Sequence, residues 1–455
     1  MSKRFTRRTF LRTSAAASAV TFAGPLLRTR PAIAANEKLS HACIGVGGMG
    51  AHDLGQFLNH PRTEVVAICD VDENILKAGL GAANGRKQMP RVYADWRELL
   101  AKEGAKIDSI NATIPDHSHA IVSLNAMKAG KHVYCQKPLC HDVAEVRAVT
   151  QASMKEGIVT QLGTQHASGD GDRTAVQWLR DGLIGKVKRV VLCSNRPGAI
   201  DTYRLVGPRP EKGQEPPANL NWDVWIGNAS MRPYVPSIYH QTMWRAWQDF
   251  GTGWLGDIGC HVFDAVWKGL GLTAPKTVHA RVQESWKDSP ARRGDTWPQS
   301  DHITWIFPGN KLTETDELTI EWFDGLFYPP EQVQALYPKK PYPEESSIVI
   351  GTEGAILLAN GRMPVLLPGD KFKDQPKVSL KPRNHYHHFL DCCINGTKTE
   401  SYFAQTGPMT EAILLGTVAI RVPGQTLEWD AAKMKFPNAP EAEKFLRREY
   451  REGWV

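Results

Sequence analysis

Hydrophobic and polar positions alternate in two different ways along this chain. From residue 38 to 165, short apolar runs take turns with amphipathic stretches. "LSHACIGVGGMGAHDLGQFL" reads as a strand, a glycine turn and a helix, and "TEVVAICDVDENI" as a second apolar strand ending in acid. "IDSINATIPDHSHAIVSLNAMKAG" continues with a strand, a turn and a helix whose apolar positions recur at three and four residues. "KHVYCQKPL" is a further strand, "DVAEVRAVTQASMKEG" a helix and "IVTQLGTQH" a strand. Strands alternating with helices of about 10–15 residues predict a parallel sheet covered by helices on both faces.

Beyond residue 166 the period changes. "KVKRVVLCSN", "KTVHARVQESW", "SDHITWIFPG" and "ELTIEWFDG" alternate inward and outward as antiparallel strands do. Pro- and Gly-rich stretches, "RLVGPRPEKGQEPPAN" and "YPPEQVQALYPKKPYPEES", interrupt them and read as surface insertions. "HYHHFLDCCING" and "MTEAILLGTVAIRV" add helices towards the end. The expectation is an α/β chain of two domains. A parallel-sheet α/β domain spans 38–165, and an α+β domain with a largely antiparallel, open-faced sheet spans 166–455.

The glycine turn carries the first chemistry. "GVGGMG" fits G-x-G-x-x-G with Gly45, Gly47 and Gly50, after a strand and at the start of a helix. Gly45 allows the tight turn, Gly47 a close approach of backbone to pyrophosphate, and Gly50 close helix–strand packing. With Gly48 and Met49 they place a helix N-terminus against phosphate, so 38–165 is expected to be a Rossmann-type dinucleotide-binding domain. Asp70 lies at the end of the second strand, where an acid bonds ribose hydroxyls and repels a 2′-phosphate. This favours NAD over NADP, with Asp72 as a competing candidate.

Composition adds an address. The 455 residues are 42% hydrophobic and 23% charged, an ordinary balance for two cored domains. The net charge of +7 sits in residues 1–34, which hold seven Lys and Arg and no acid. The rest is neutral by formal count and gives no case for nucleic acid. "TRRTFLR", a weakly apolar run and "PAIAAN" follow in the order of a twin-arginine signal peptide over residues 1–35. The expectation is export to the periplasm through that machinery, with a membrane tether if the signal stays uncleaved. The eight cysteines form no framework, and Cys43, Cys69 and Cys135 read as core. His388 and Cys392 stand four apart, but no second ligand pair accompanies them, so no metal is expected.

The glycine loop, "ATIPDHSH", "CQKPL" and "GTGWLGDIGCH" occur together in the order found in the Gfo/Idh/MocA oxidoreductases, the glucose–fructose oxidoreductase and inositol dehydrogenase group, and the chain resembles that family from about residue 40 onward. The family's usual Glu-Lys-Pro is Gln136-Lys137-Pro138 here. The resemblance implies an enzyme moving a hydride between nicotinamide and a carbinol carbon, with Lys137, Asp257 and His261 as its catalytic residues. Lys137 supplies positive charge at the reacting oxygen, and His261 is the general acid/base. Asp257 lies one helical turn before His261, where it would orient the ring and favour its charged form. Lys137 and Pro115 also belong to the expected cofactor contacts. His119 reads either as such a contact or as a helix-starting polar residue. Trp244 and Arg245 just precede the Asp/His motif, either to stack on and bond a sugar or as ordinary core.

Export changes what such chemistry needs. Outside the cytoplasm no large nucleotide pool re-oxidises a released cofactor, so the expectation is a cofactor carried out in the folded protein and reset within the site. Paired oxidation and reduction of two sugars, transient oxidation with glycoside cleavage, and epimerisation through a ketone all permit this. The expected substrate is a carbohydrate or polyol, and the expected state a homo-oligomer. A non-catalytic sugar or nucleotide binder would have no need of Lys137, Asp257 and His261 together.

Overall fold

The computed structural model describes residues 37–197 and 207–454. The export motif from Thr6 to Arg12 and its cleavage site lie outside them. Six parallel strands form the first sheet: β1 (Leu39–Ile44), β2 (Thr63–Cys69), β3 (Arg91–Tyr93), β4 (Ser109–Ala112), β5 (His132–Cys135) and β6 (Thr160–Leu162). Their order, β3-β2-β1-β4-β5-β6, reverses direction between β1 and β4. Helices α1 (Met49–Leu58), α2 (Glu73–Asn84), α3 (Trp96–Glu103), α4 (Asp116–Lys128) and α5 (Val143–Ser153) make the crossovers. β4 and β5 are buried at every position, as strands covered on both faces must be. Several crossover helices begin on an aspartate: Asp72, Asp95 and Asp142 each accept a backbone N–H from the first turn and fix where the helix starts.

After α6 (Asp170–Arg180) come β7 (Val187–Ser194), the long helix α7 (Gly253–Leu270), β8 (Thr277–Val282), β9 (Asp301–Pro308), β10 (Glu317–Asp324), β11 (Glu345–Gly351), β12 (Ala355–Ala359) and β13 (Val365–Leu367). With β14 (Thr426–Glu428) they form an eight-stranded sheet, β13-β12-β11-β7-β10-β9-β8-β14. One pair departs from the antiparallel texture: β7 and β10 run parallel. Along β9, Ile303, Trp305 and Phe307 are buried, with Trp305 Nε1 donating to the Ala412 carbonyl at 3.0 Å. His302 and Thr304 alternate to the other face, where His302 and Arg189 pair with Glu321. That part of the sheet is open. Under β7, β11 and β12, by contrast, the Pro-rich stretch after β10 packs Phe327, Val333, Tyr337 and Tyr342 onto Val191, Ile348 and Leu357. It is less an idle insertion than a cover for half a face.

Two late helices tie the sheets together. α8 (His385–Asn395) crosses back to the first sheet and buries Tyr386, Phe389 and Leu390 against Cys43, Phe57 and Tyr134. Its first residue, His385, bonds Ser168 Oγ at 2.8 Å and the Leu162 carbonyl at 3.0 Å. α9 (Phe403–Arg421) packs on both α5 and α7.

Candidate active site

The cleft opens at the carboxyl ends of β1, β2, β4 and β5, beside the point where strand order reverses, as ligand sites of such sheets do. At its floor Gly45 has φ +82°, and an added Cβ would meet the Thr113 carbonyl oxygen at 2.0 Å. A Cβ on Gly50 would strike the Gly45 carbonyl at 2.3 Å. Gly48 has φ +51° and open space beyond it, and it starts α1 with no side-chain cap. The N–H groups of Gly47 and Gly48 donate to no protein acceptor among the described residues. This is a cradle for phosphate that side chains would fill, and it fits a dinucleotide. Met49 is half exposed on the same wall.

Asp70 lines the cleft and also props its floor. Its Oδ2 accepts the Val46 N–H at 2.9 Å and its Oδ1 that of Asp72 at 3.1 Å. Burial raises its pKa, while these two bonds oppose the rise. Asp72 caps α2 and is held by Asn219 at 2.9 Å and His240 at 3.4 Å, so it serves the junction between the two sheets. Pro115 is on the wall. His119 is not. Its ring is fully buried, with Nδ1 2.6 Å from the Pro138 carbonyl and Nε2 2.7 Å from that of Ile114. It corrects the expectation of a cofactor contact: the side chain fastens the two loops bearing Pro115 and Lys137 to each other.

Lys137 follows β5, and its peptide bond to Pro138 is cis. Its ammonium donates to the Asp257 carboxylate and, at 2.9 Å, to the Asp257 carbonyl. Arg245 reaches the other carboxylate oxygen at 3.4 Å and stacks on Trp244, 4.3 Å from the ring centre. Burial alone would raise the pKa of Asp257, but Lys137 and Arg245 outweigh it and hold the group well below the carboxylate range. Asp257 therefore faces Lys137 and Arg245. Among the described residues no hydrogen bond joins it to His261, although both side chains project from α7; its charge nonetheless favours the charged form of that ring, as expected. His261 has a buried Nδ1 without a partner and lies 5.9 Å from the ring of His166. Burial first, then the charge of Lys137, lowers its pKa to about 3, so it is neutral at physiological pH. A neutral imidazole can take a proton; it does not carry one to the site.

Three features of the cleft were not read from the chain. Asp116, the first residue of α4, is buried on the wall and accepts a hydrogen bond from Thr252 Oγ1 at 2.8 Å. Burial, then repulsion by Asp257, raises its pKa to about 7. Its place inside "ATIPDHSH" was the available signal. Trp225 and His240 come from the second half of the chain to close the cleft, and only tertiary contact reveals them. Gln136 donates through Nε2 to the buried carboxylate of Asp53 at 2.9 Å, which Thr113 Oγ1 also meets at 2.7 Å. Among the described residues no group of three or more His, Cys, Asp or Glu is placed to hold a metal, and no helix is long and apolar enough to cross a membrane.

A doubly wound sheet with a glycine cradle at its switch point, joined to a mixed-sheet domain, defines the class as a two-domain chain with a Rossmann-like half. The chain belongs to the Gfo/Idh/MocA family. Residues 39–164 match its model described as "Oxidoreductase family, NAD-binding Rossmann fold", and 174–330 the one described as "Oxidoreductase family, C-terminal alpha/beta domain". Among curated relatives, a "Glycosyl hydrolase family 109 protein" of Stenotrophomonas maltophilia is 29% identical over 179 residues, 38% of this chain and 39% of its own. A D-apiose dehydrogenase of Paraburkholderia graminis is 30% identical over 149 residues, 33% of this chain and 38% of its own. The chain thus spans about two-fifths of the length of each. Among solved structures, an inositol dehydrogenase homolog of Azotobacter vinelandii, complexed with NADH and myo-inositol, shares the fold with TM-score 0.56 at 15% identity, covering 87% of this chain and 98% of its own.

Proposed function

We propose that this protein is an NAD-dependent oxidoreductase acting on a CH–OH group of a sugar, polyol or glycoside. The observation that carries the reading is Lys137 on the wall of the glycine cleft, paired behind it with Asp257, with neutral His261 one turn further along the same helix as Asp257. The glycine loop, Asp70 and Pro115 would hold the dinucleotide, whose nicotinamide supplies the hydride acceptor or donor. Asp70 favours NAD over NADP by charge, and the NADH complex of the A. vinelandii homolog agrees with nicotinamide use in this fold. His261 accepts the hydroxyl proton in oxidation and gives that same proton back when the hydride returns within the site. Lys137 donates to the reacting oxygen as charge develops there, and Asp257 with Arg245 fixes the ammonium's position. Trp244, stacked under Arg245, offers a flat apolar surface for a sugar ring.

One relative's name favours a second reading, glycoside cleavage without net redox change. Oxidation of a ring hydroxyl acidifies the neighbouring C–H; a base removes that proton, the aglycone leaves with its electron pair, water adds, and the hydride returns. Asp116, with its pKa near 7, suits a group that both takes and gives a proton in that cycle. The residues before 36 support export by the twin-arginine route, folded and with cofactor in place, and the open polar part of the second sheet supports self-association.

The experiment is to purify the exported protein, release and identify its nucleotide, and follow sugar and glycoside turnover by bound-cofactor absorbance and by free aglycone. Nucleotide retained through purification, with turnover lowered about 100-fold or more in Lys137→Ala and His261→Ala, is the expected result. Aglycone released without accumulating NADH selects the second reading. Wild-type turnover in either variant sinks the assignment of roles.

A further inference from the structure

A second cavity, of about 600 Å³, lies behind the loops that carry Lys137, between the start of α5 and the last turns of α9. Two of its lining residues have polar groups that the protein leaves unused. The guanidinium of Arg421 is held between the rings of Trp297, 4.8 Å from its centre, and Phe445, at 5.1 Å. Its Nε is buried without a partner; among the described residues no carboxylate makes an ion pair with it, and Asp142 and Asp249 act on it only by their charge. Burial lowers its pKa, to about 10, so it remains a cation. A planar, ring-clamped guanidinium with its donors unspent is prepared for an oxyanion.

His141 completes the chemistry. Its Nε2 lies 2.9 Å from the Gln248 carbonyl, so that nitrogen carries the proton and donates. Burial, then Arg448 and Arg421, push its pKa well below the usual imidazole value. Nδ1 is therefore an acceptor, and it too is buried with no partner. Arg448 is neutralised by Glu145 at 2.8 Å, and Glu443 on the wall already accepts the Phe436 N–H. Lys444 and Arg447 add positive charge, and Asp142 and Glu449 on the same wall oppose it, Asp142 less so because burial and Glu145 raise its pKa.

We infer that this cavity binds a small oxyanion that carries its own proton donor, as a phosphate group does. The oxygens meet Arg421, and a hydroxyl of the ligand meets Nδ1 of His141. Sulfate, which has no proton at neutral pH, satisfies the first group only.

Titration calorimetry of the full chain with sodium phosphate at neutral pH and fixed ionic strength should show one saturable site. Sodium sulfate should bind ~10-fold or more weakly, the loss of one charge-assisted hydrogen bond. Arg421→Met, which keeps a side chain between the rings, should abolish phosphate binding. His141→Phe, which leaves Arg421 in place, should bring phosphate down to the level of sulfate, and it serves if Arg421→Met fails to fold. Glycerol 1-phosphate titrated alongside tells a free anion from an ester by which binds tighter. Absence of saturable phosphate binding, equal affinity for the two anions in the wild type, or binding unchanged in His141→Phe overturns the inference.

Discussion

Gln136 replaces the acid that usually precedes the lysine in this family, and the reason lies in helix α1. Asp53 projects from that helix into the same buried space, where Gln136 and Thr113 donate to it. A glutamate at 136 would bring two carboxylates within hydrogen-bond distance without a cation. Gln136→Glu is expected to cost roughly 2–4 kcal/mol of stability near neutral pH. One acid of that pair would titrate above its unfolded value. The folded state would then hold the extra proton, and stability would fall as pH rises; urea melts at about pH 5 should recover part of the loss. Asp116 poses the complementary case. Its pKa near 7 means that a second negative charge arrives beside Lys137 and Asp257 as pH passes neutrality. kcat/KM is expected to fall through that range in the wild type, and Asp116→Asn should lack that limb. The same raised pKa makes Asp116 stabilise the fold below about pH 4 and lose that contribution as pH climbs to about 7, a slope the asparagine variant should also lack.

Helix α7 delivers the site because of how it begins. Gly253 has φ +73° and an added Cβ would press on the Trp297 ring at 3.1 Å, while the preceding Thr252 bonds Asp116. The helix start is thus fastened to the start of α4, and Asp257, one turn in, falls opposite Lys137. Helix α8 acts at longer range. Phe389 is fully buried between His41 and Tyr134, under the strand and helix that flank the glycine loop. Phe389→Ala is expected to cost about 3–5 kcal/mol. It should also weaken nucleotide retention, because α1 loses the layer that backs it; thermal melts with and without added NAD read both effects.

Over the whole molecule, the cleft needs both halves of the chain. The segment from Asn219 to Arg245 leaves the second half, reaches Asp72 and Val71 through Asn219, His240 and Asn221, and places Trp225 and Trp244 across from the glycine loop. A Rossmann half expressed alone would lack that wall. The second sheet is unevenly covered: residues 327–343 blanket its β7–β11–β12 part, and the Arg189–Glu321–His302 part stays open. Light scattering on the purified protein should give at least twice the mass of one chain if that open part pairs between copies, and Glu321→Lys should return it to the monomer.

The parallel and antiparallel textures and the glycine turn were legible because each depends on spacing along one element, whereas the lysine, aspartate and histidine stood out only through the family resemblance. The period of apolar residues reports burial of a face, and a glycine run reports backbone that no side chain can follow. What lay beyond reading were relations between elements far apart in the chain. The i, i+4 spacing put Asp257 and His261 on one helix, but a residue 120 positions earlier decided that the carboxylate pairs with Lys137 instead of the ring. His119 read as a cofactor contact or a helix-starting polar residue, and the carbonyls of Ile114 and Pro138 on two loops turned it into a fastening. Burial and long-range charge set the ionisation of Asp116 and His261, and those depend on every atom packed around a group, which no local pattern records.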